Sequence, residues 1–195
     1  RVKKPIEVHF HSDFGLGVAN TIMAVLSGAE VIHSTVGGIG ERCGNAAMEE
    51  TAMALLTMYG IDVGIHFDKI NELSQLVMKL SRLEVPPQRP FVGDKAFTVE
   101  SGIVTGWYRN AYKDNPTTVF PVRPEFVGHT TPEIIMGKKS GLDNIAVWAQ
   151  KLRLKIDDDK KMEILKRIKR KSHDLRRTLT EKEFKEIVKQ VKAGK

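Results

Sequence analysis

Twice within the first sixty residues, a short run rich in β-branched and aromatic residues gives way to an apolar pattern of helical period. IEVHFH (6–11) reads as a buried strand. LGVANTIMAVLSGA follows, with Leu16, Ala19, Ile22, Met23 and Leu26 on one helix face and Gly28 as the stop. EVIHSTV (30–36) is a second buried strand, GGIGERCGN (37–45) a Gly-rich loop, and AAMEETAMALLTMYG a second helix ended by Gly60. Strand, helix, strand and helix on short connections specify parallel βα units. Two units cannot close a sheet, and their apolar strands want cover on both faces. The first strand starts about five residues after Arg1, with no initiating methionine. The expectation is therefore a portion of a longer α/β protein, with residues 1–60 as its βα part.

Past Gly60 the pattern changes. DKINELSQLVMKLSRL is amphipathic through Ile70, Leu73, Leu76, Val77, Leu80 and Leu83, with Asp68 placed to cap it. EVPPQRPFVG is a Pro-rich connector, and 91–135 reads as irregular, with Trp107, Tyr108 and Tyr112 as a small aromatic cluster. Residues 61–125 are thus expected to form a linker subdomain and 126–195 a mostly helical one. The latter's helices are expected at about 141–153, 158–171 and 180–193. The last opens on a capping box, Thr180 with Glu183, and a possible staple, Leu179 with Phe184.

Charge narrows the partners. Residues 151–195 hold 17 Lys and Arg against eight Asp and Glu, a net of +9, whereas the first 150 residues carry −2. Nucleic-acid surfaces interleave positive charge with aromatics, but Phe184 is the only aromatic after Trp148. In KKMEILKRIKRKSHDL, charge alternates with Met162, Ile164, Leu165 and Ile168 at helical spacing, so a solvated helix face is preferred to a nucleic-acid site. No apolar run approaches the roughly 20 residues that span a bilayer. A single cysteine, Cys43, excludes an internal disulfide framework and fits a reducing, cytoplasmic setting.

His9 and His11 close the first strand. Residues i and i+2 share a face, so both imidazoles project together from the strand's C-terminal end, where parallel α/β folds build their sites. They could cap loop groups, or hold a divalent metal between them. The Gly-rich loop emerges beside them from the next strand. Its glycines let backbone approach a ligand, and Asn45, expected to begin the next helix, could offer an amide oxygen. Glu41 and Arg42 could pair with each other or orient site groups. A plain turn or an anion site is the alternative, but no Gly-Lys-Ser/Thr closes a Walker loop.

These residues resemble a known family. HFHSDFGLGVAN is similar to the HxHND-GLAVAN run of the isopropylmalate, homocitrate and citramalate synthases, with Ser12 in place of Asn. GGIGERCGN resembles their NGIGERxGN. PFVGDKAFTVESGI and PEFVGHTTPEIIMGKKSG resemble two further family motifs, in the same order. The resemblance covers about residues 5–145. It implies a metal-dependent TIM barrel of the superfamily that includes hydroxymethylglutaryl-CoA lyase, of which this chain carries the last two βα units. It implies a divalent cation (Mg, Mn or Zn) on His9 and His11, with Asn45 in or near the shell. Asp13, Glu41 and Arg42 would shape the loop or brace the ligands, and Gly38, Gly40 and Gly44 would line the substrate and CoA loop. The cation would polarise the ketone of a 2-oxo acid, to which the carbanion of acetyl-CoA adds before the thioester is hydrolysed. A homodimer through the C-terminal subdomains is implied as well.

Two departures bear on activity. The family's Arg-Asp pair, whose Asp is a metal ligand, belongs to an earlier strand not in this sequence, so the chain alone is expected to be inactive. The family's catalytic histidine position is Val104 here, and its companion is Val99. Valine moves no proton, which leaves the catalytic group unassigned. Tyr108, His129 and Glu100 are candidate substitutes. It also keeps two rivals in play, a carbon–carbon lyase of the same superfamily and a non-catalytic dimerisation piece. GKKSG (137–141) reads as a CoA-phosphate loop or as a turn before a helix. Cys43 and His33 are expected to be packed, and His66 to lie in a loop.

Overall fold

The computed structural model describes residues 3–130 and 132–194. Arg1 and Val2, which open the sequence, and Thr131, inside the PEFVGHTTPE motif, lie outside the described residues. The chain divides into two compact units, Arg1–Ala96 with Pro124–Thr130, and Phe97–Arg123 with Thr131–Lys195. The three segments read from sequence are distributed over these two. Residues 61–96 belong with the βα part, and 97–123 with the helical part.

The first unit begins as the patterning requires. β1 (Glu7–His9) pairs in parallel with β2 (Val31–His33), with His9 opposite His33, and α1 (Gly17–Leu26) connects them. A 3₁₀ turn (Val36–Gly38) leads through the Gly-rich loop to α2 (Met48–Tyr59), which stops at Gly60. The core collects Ala46, Ala47, Ala52, Met53 and Leu55. Both strands are shorter than expected and are not buried. Glu7, His9, Val31 and His33 form an exposed face, while Val8 and Ile32 turn toward the interior. One polar face and one apolar face produce the alternation, because successive residues of a strand point to opposite sides.

α3 (Ile70–Ser81) is entered through a 3₁₀ turn, Phe67–Lys69. Asp68 lies within that turn and makes no cap, a correction to the expected N-terminus. The helix buries Ile70, Ser74 and Met78, whereas Leu73, Leu76 and Leu80 of the expected apolar face are exposed.

The second unit contains a helix that the sequence reading missed. α4 (Gly102–Ala111) lies in the stretch taken as irregular. It follows β3 (Thr98–Val99), which pairs in parallel with β4 (Glu133–Ile134). Tyr108 and Tyr112 join Phe120 and Phe97 in an aromatic cluster, but Trp107 is half-exposed. α5 (Leu142–Lys151), α6 (Asp158–Leu175) and α7 (Glu181–Lys192) match the three expected helices. The capping box is formed: Glu183 N donates to Thr180 Oγ1, and Thr180 N donates to Glu183 Oε2 at 2.8 Å. The Arg177 guanidinium, with the Thr180 N–H, holds the Glu183 carboxyl down to about 2. Leu179 and Phe184 are both buried in the core of this unit, with Ile145, Trp148, Ile164 and Ile168.

Candidate metal centre

The H-x-H strand and the Gly-rich loop are joined backbone to backbone. Ala46 N donates to Phe10 O (3.2 Å) and Ser12 N to Gly44 O (2.9 Å), with an antiparallel bridge between His11 and Asn45. A residue nearly thirty-five positions away thereby becomes the cross-strand neighbour of His11. Asn45 does not begin α2, which starts three residues later. It sits in the extended segment, and this position is what brings it to the dyad.

The two imidazoles converge. His9 Nε2 and His11 Nε2 are 3.1 Å apart, and the rings meet edge to face with centroids at 5.0 Å. That spacing allows a hydrogen bond, and it is also the separation of two imidazole nitrogens each about 2.1 Å from one cation. Asn45 Nδ2 donates to Ile39 O (3.2 Å), which fixes the amide, while its Oδ1 is buried without a hydrogen-bond partner. An open buried acceptor on the cross-strand neighbour of His11, together with two paired imidazoles, offers oxygen and nitrogen donors of the kinds a divalent cation accepts. His11 Nδ1 is likewise buried and unpartnered. No third His, Cys, Asp or Glu joins the pair closely enough to complete a shell among the described residues. The donors therefore fit part of a coordination sphere.

The other residues singled out from the sequence pair with one another. Arg42, with φ of 56°, turns back to donate through Nε to Asp13 Oδ1 (2.8 Å) and through Nη2 to Oδ2 (3.3 Å). It also lies 3.7 Å from Glu41, so its main partner is Asp13 rather than its neighbour. The bridge ties the loop after β1 to the loop after β2. The Arg42 hydrogen bond lowers the Asp13 pKa below the ordinary aspartate value. A depressed folded-state value means that the linkage stabilises the fold above the unfolded pKa and is lost as pH falls through the folded one. Arg42→Gln is expected to return the Asp13 midpoint to the ordinary range in a carboxylate NMR titration; an unmoved midpoint would refute the pairing.

Gly38, Gly40 and Gly44 are spent on packing the loop against itself. A Cβ on Gly40 would lie 2.7–2.8 Å from the Asn45 amide, and one on Gly44 would lie 2.1 Å from Gly38 O. Two expectations are corrected. Cys43 is exposed rather than packed, in a run with Glu41 and Arg42 that is exposed as a whole. His33 is also exposed, 3.4 Å from Glu7 on the open strand face and with its ring 5.8 Å from that of His9. His66 lies in a loop.

The candidate substitutes for the missing histidine have other partners. Glu100 Oε1 accepts from Lys139 N (2.9 Å), Tyr108 stacks on Tyr112, and burial lowers the His129 pKa. Val104 is part of α4, and Val99 is buried in β3. In GKKSG, Gly137 N donates to Ser140 Oγ, Lys139 N to Glu100 and Gly141 N to Asn144 Oδ1. Side chains thus occupy the amides a phosphate would use, which favours the turn reading. Sequence reasoning did not pick out Arg89, Glu49 and Glu50, which surround the turn at Gly37.

The HMGL-like family matches residues 1–77, and the family described as homocitrate synthase post-HMGL domain-like matches 91–174. The two matches follow one another along the chain, and the chain is similar through most of its length to citramalate, homocitrate and isopropylmalate synthases. It is 42% identical to homocitrate synthase AksA of Methanopyrus kandleri, over 97% of this chain and 46% of that protein. It is 40% identical to the 2-isopropylmalate synthase of Methanocaldococcus jannaschii, over 97% of this chain and 36% of that protein. It is also 40% identical to the (R)-citramalate synthase CimA of the same organism, over 97% of this chain and 38% of that protein. The chain spans about a third to a half of the length of these relatives. No helix among the described residues is long and apolar enough to cross a membrane.

Proposed function

We propose that this chain is the metal-bearing part of a cytoplasmic acyltransferase that condenses acetyl-CoA with a 2-oxo acid. In this reading the β1 and β2 units are the last two of a TIM barrel, and their exposed polar face is its interior. The observation that carries the proposal is the 3.1 Å approach of His9 and His11 Nε2 beside the open Oδ1 of Asn45. The names of the relatives support the reaction class.

A divalent cation bound there supplies Lewis acidity toward the carboxylate and keto oxygens of a 2-oxo acid. The residues of this chain hold and orient. His9 and His11 give two neutral nitrogens, and Asn45 an uncharged oxygen. The Asp13–Arg42 bridge locks the two loops that carry them. Lacking an anionic ligand, the set depends on a carboxylate from elsewhere in the protein, so residues 1–195 alone are expected to be inactive. A second copy would pack on the helical unit, which leaves Ile103, Trp107 and Leu142 exposed.

Val104 favours a second reading, a lyase of the same superfamily, since valine cannot relay a proton. Acetyl-CoA-dependent thiol release by the full-length protein separates the two: release supports the synthase, and cleavage of an acyl-CoA without it supports the lyase. For the site itself, His9→Ala/His11→Ala is expected to abolish Co²⁺ binding, read from the ligand-field spectrum. Unchanged binding would refute the ligand assignment.

A further inference from the structure

Arg89 comes from the Pro-rich connector, far from the histidines in sequence, yet it is built into the loop that presents Asn45. Its Nη2 donates to Gly37 O at 2.7 Å. Its Nε lies 3.0 Å from Glu50 Oε1, with both side chains largely buried. The contact with Glu50 is ionic rather than an aligned hydrogen bond, since neither atom has a hydrogen-bond partner. Burial raises the Glu50 pKa, and the Arg89 charge opposes the rise. The other side of Gly37 is held too. Its N–H donates to both oxygens of Glu49 at 3.0 Å, and Glu49 is only 1% exposed. The next residue, Gly38, accepts from Asn45 N at 3.0 Å.

We infer that Arg89 is a positioning residue for the cation site: with Glu50 as counter-ion and Glu49 opposite, it fixes the Gly37–Gly38 turn from which Asn45 is held beside His11. The functional half of this inference rests on the metal reading above; the structural half does not. Only a guanidinium suits the task, because its fork serves a carbonyl and a carboxylate at once, whereas an ammonium is a point charge on a flexible stem. Removing Arg89 leaves a part-buried carboxylate and a part-buried carbonyl without their partner.

The test uses the full-length protein, which supplies the remaining carboxylate ligand, with Arg89→Met and Arg89→Lys, followed by amide hydrogen exchange and Co²⁺ titration. In Arg89→Met, the Gly37 and Asn45 amides are expected to exchange about tenfold faster or more, with Ile164 and Ile168 unchanged. Co²⁺ affinity is expected to fall by about 10-fold or more, the range found for residues that orient metal ligands. Arg89→Lys keeps the charge beside Glu50 and should restore only part of the Asn45 protection; it carries the comparison if Arg89→Met fails to fold. Wild-type exchange at Asn45 in the folded variants would overturn the positioning role. The His9→Ala/His11→Ala variant separates the two readings. If it keeps Co²⁺ binding, the metal reading falls while the exchange result still decides Arg89.

Discussion

Gly44→Ala is expected to destabilise the βα unit by about 3 kcal/mol and to weaken Co²⁺ binding by more than about tenfold. Gly44 holds φ at +82°, where an L side chain costs about 1–2 kcal/mol. Its Cβ would also stand 2.1 Å from Gly38 O, closer than any real contact. That oxygen accepts from Asn45 N, and Gly44 O accepts from Ser12 N, so the displacement runs directly into both halves of the site. Gly40→Ala gives the contrast. At Gly40, the three atoms nearest to a Cβ all belong to the Asn45 amide, and the backbone there needs no left-handed φ. It should cost under about 1 kcal/mol in stability yet push aside the amide and lower affinity almost as far. Hydrogen exchange in α2 and Co²⁺ titration check both. Wild-type stability in Gly44→Ala, or unaltered affinity in Gly40→Ala, would show that the loop is not held by its own packing.

The contrast between these glycines marks what could be read from sequence. The βα order, six of the seven helices among the described residues and the shared face of His9 and His11 follow from periods of 2 and 3.6, which are local properties. α4 was missed because Gly102 and Gly106 interrupt a pattern that Ile103, Val104, Trp107, Tyr108 and Ala111 otherwise complete. The motif brought Asn45 to attention, but its placement depends on an antiparallel bridge to His11 that no periodicity encodes. Val8 and Ile32 suggest apolar cover on both sides of the strands, whereas within this chain Glu7, His9 and His33 make the open side polar. Arg89 was invisible for another reason. A lone arginine between prolines reads as a solvated loop residue until the fold puts it against Gly37 and Glu50.

The helical unit has its own critical residue, and Phe184→Ala is expected to cost it about 4 kcal/mol. Phe184 is fully buried and meets the ring of Trp148 edge to face, with centroids 5.4 Å apart and planes at 80°. That geometry adds about 0.5–1.5 kcal/mol to the area it buries. Trp148 in turn donates from Nε1 to Ile134 O at 2.6 Å, so the ring pair ties α5 and α7 to β4. Ile164 and Ile168 of α6 are fully buried, leaving little freedom for the cavity to collapse. Phe184→Leu, which keeps most of the volume, should cost under about 2 kcal/mol. Urea unfolding gives the stabilities, and Trp148 emission in a Trp107→Phe background reports the local packing. A loss below about 1 kcal/mol in Phe184→Ala, with unshifted Trp148 emission, would mean that the capping box rather than the aromatic pair seats α7.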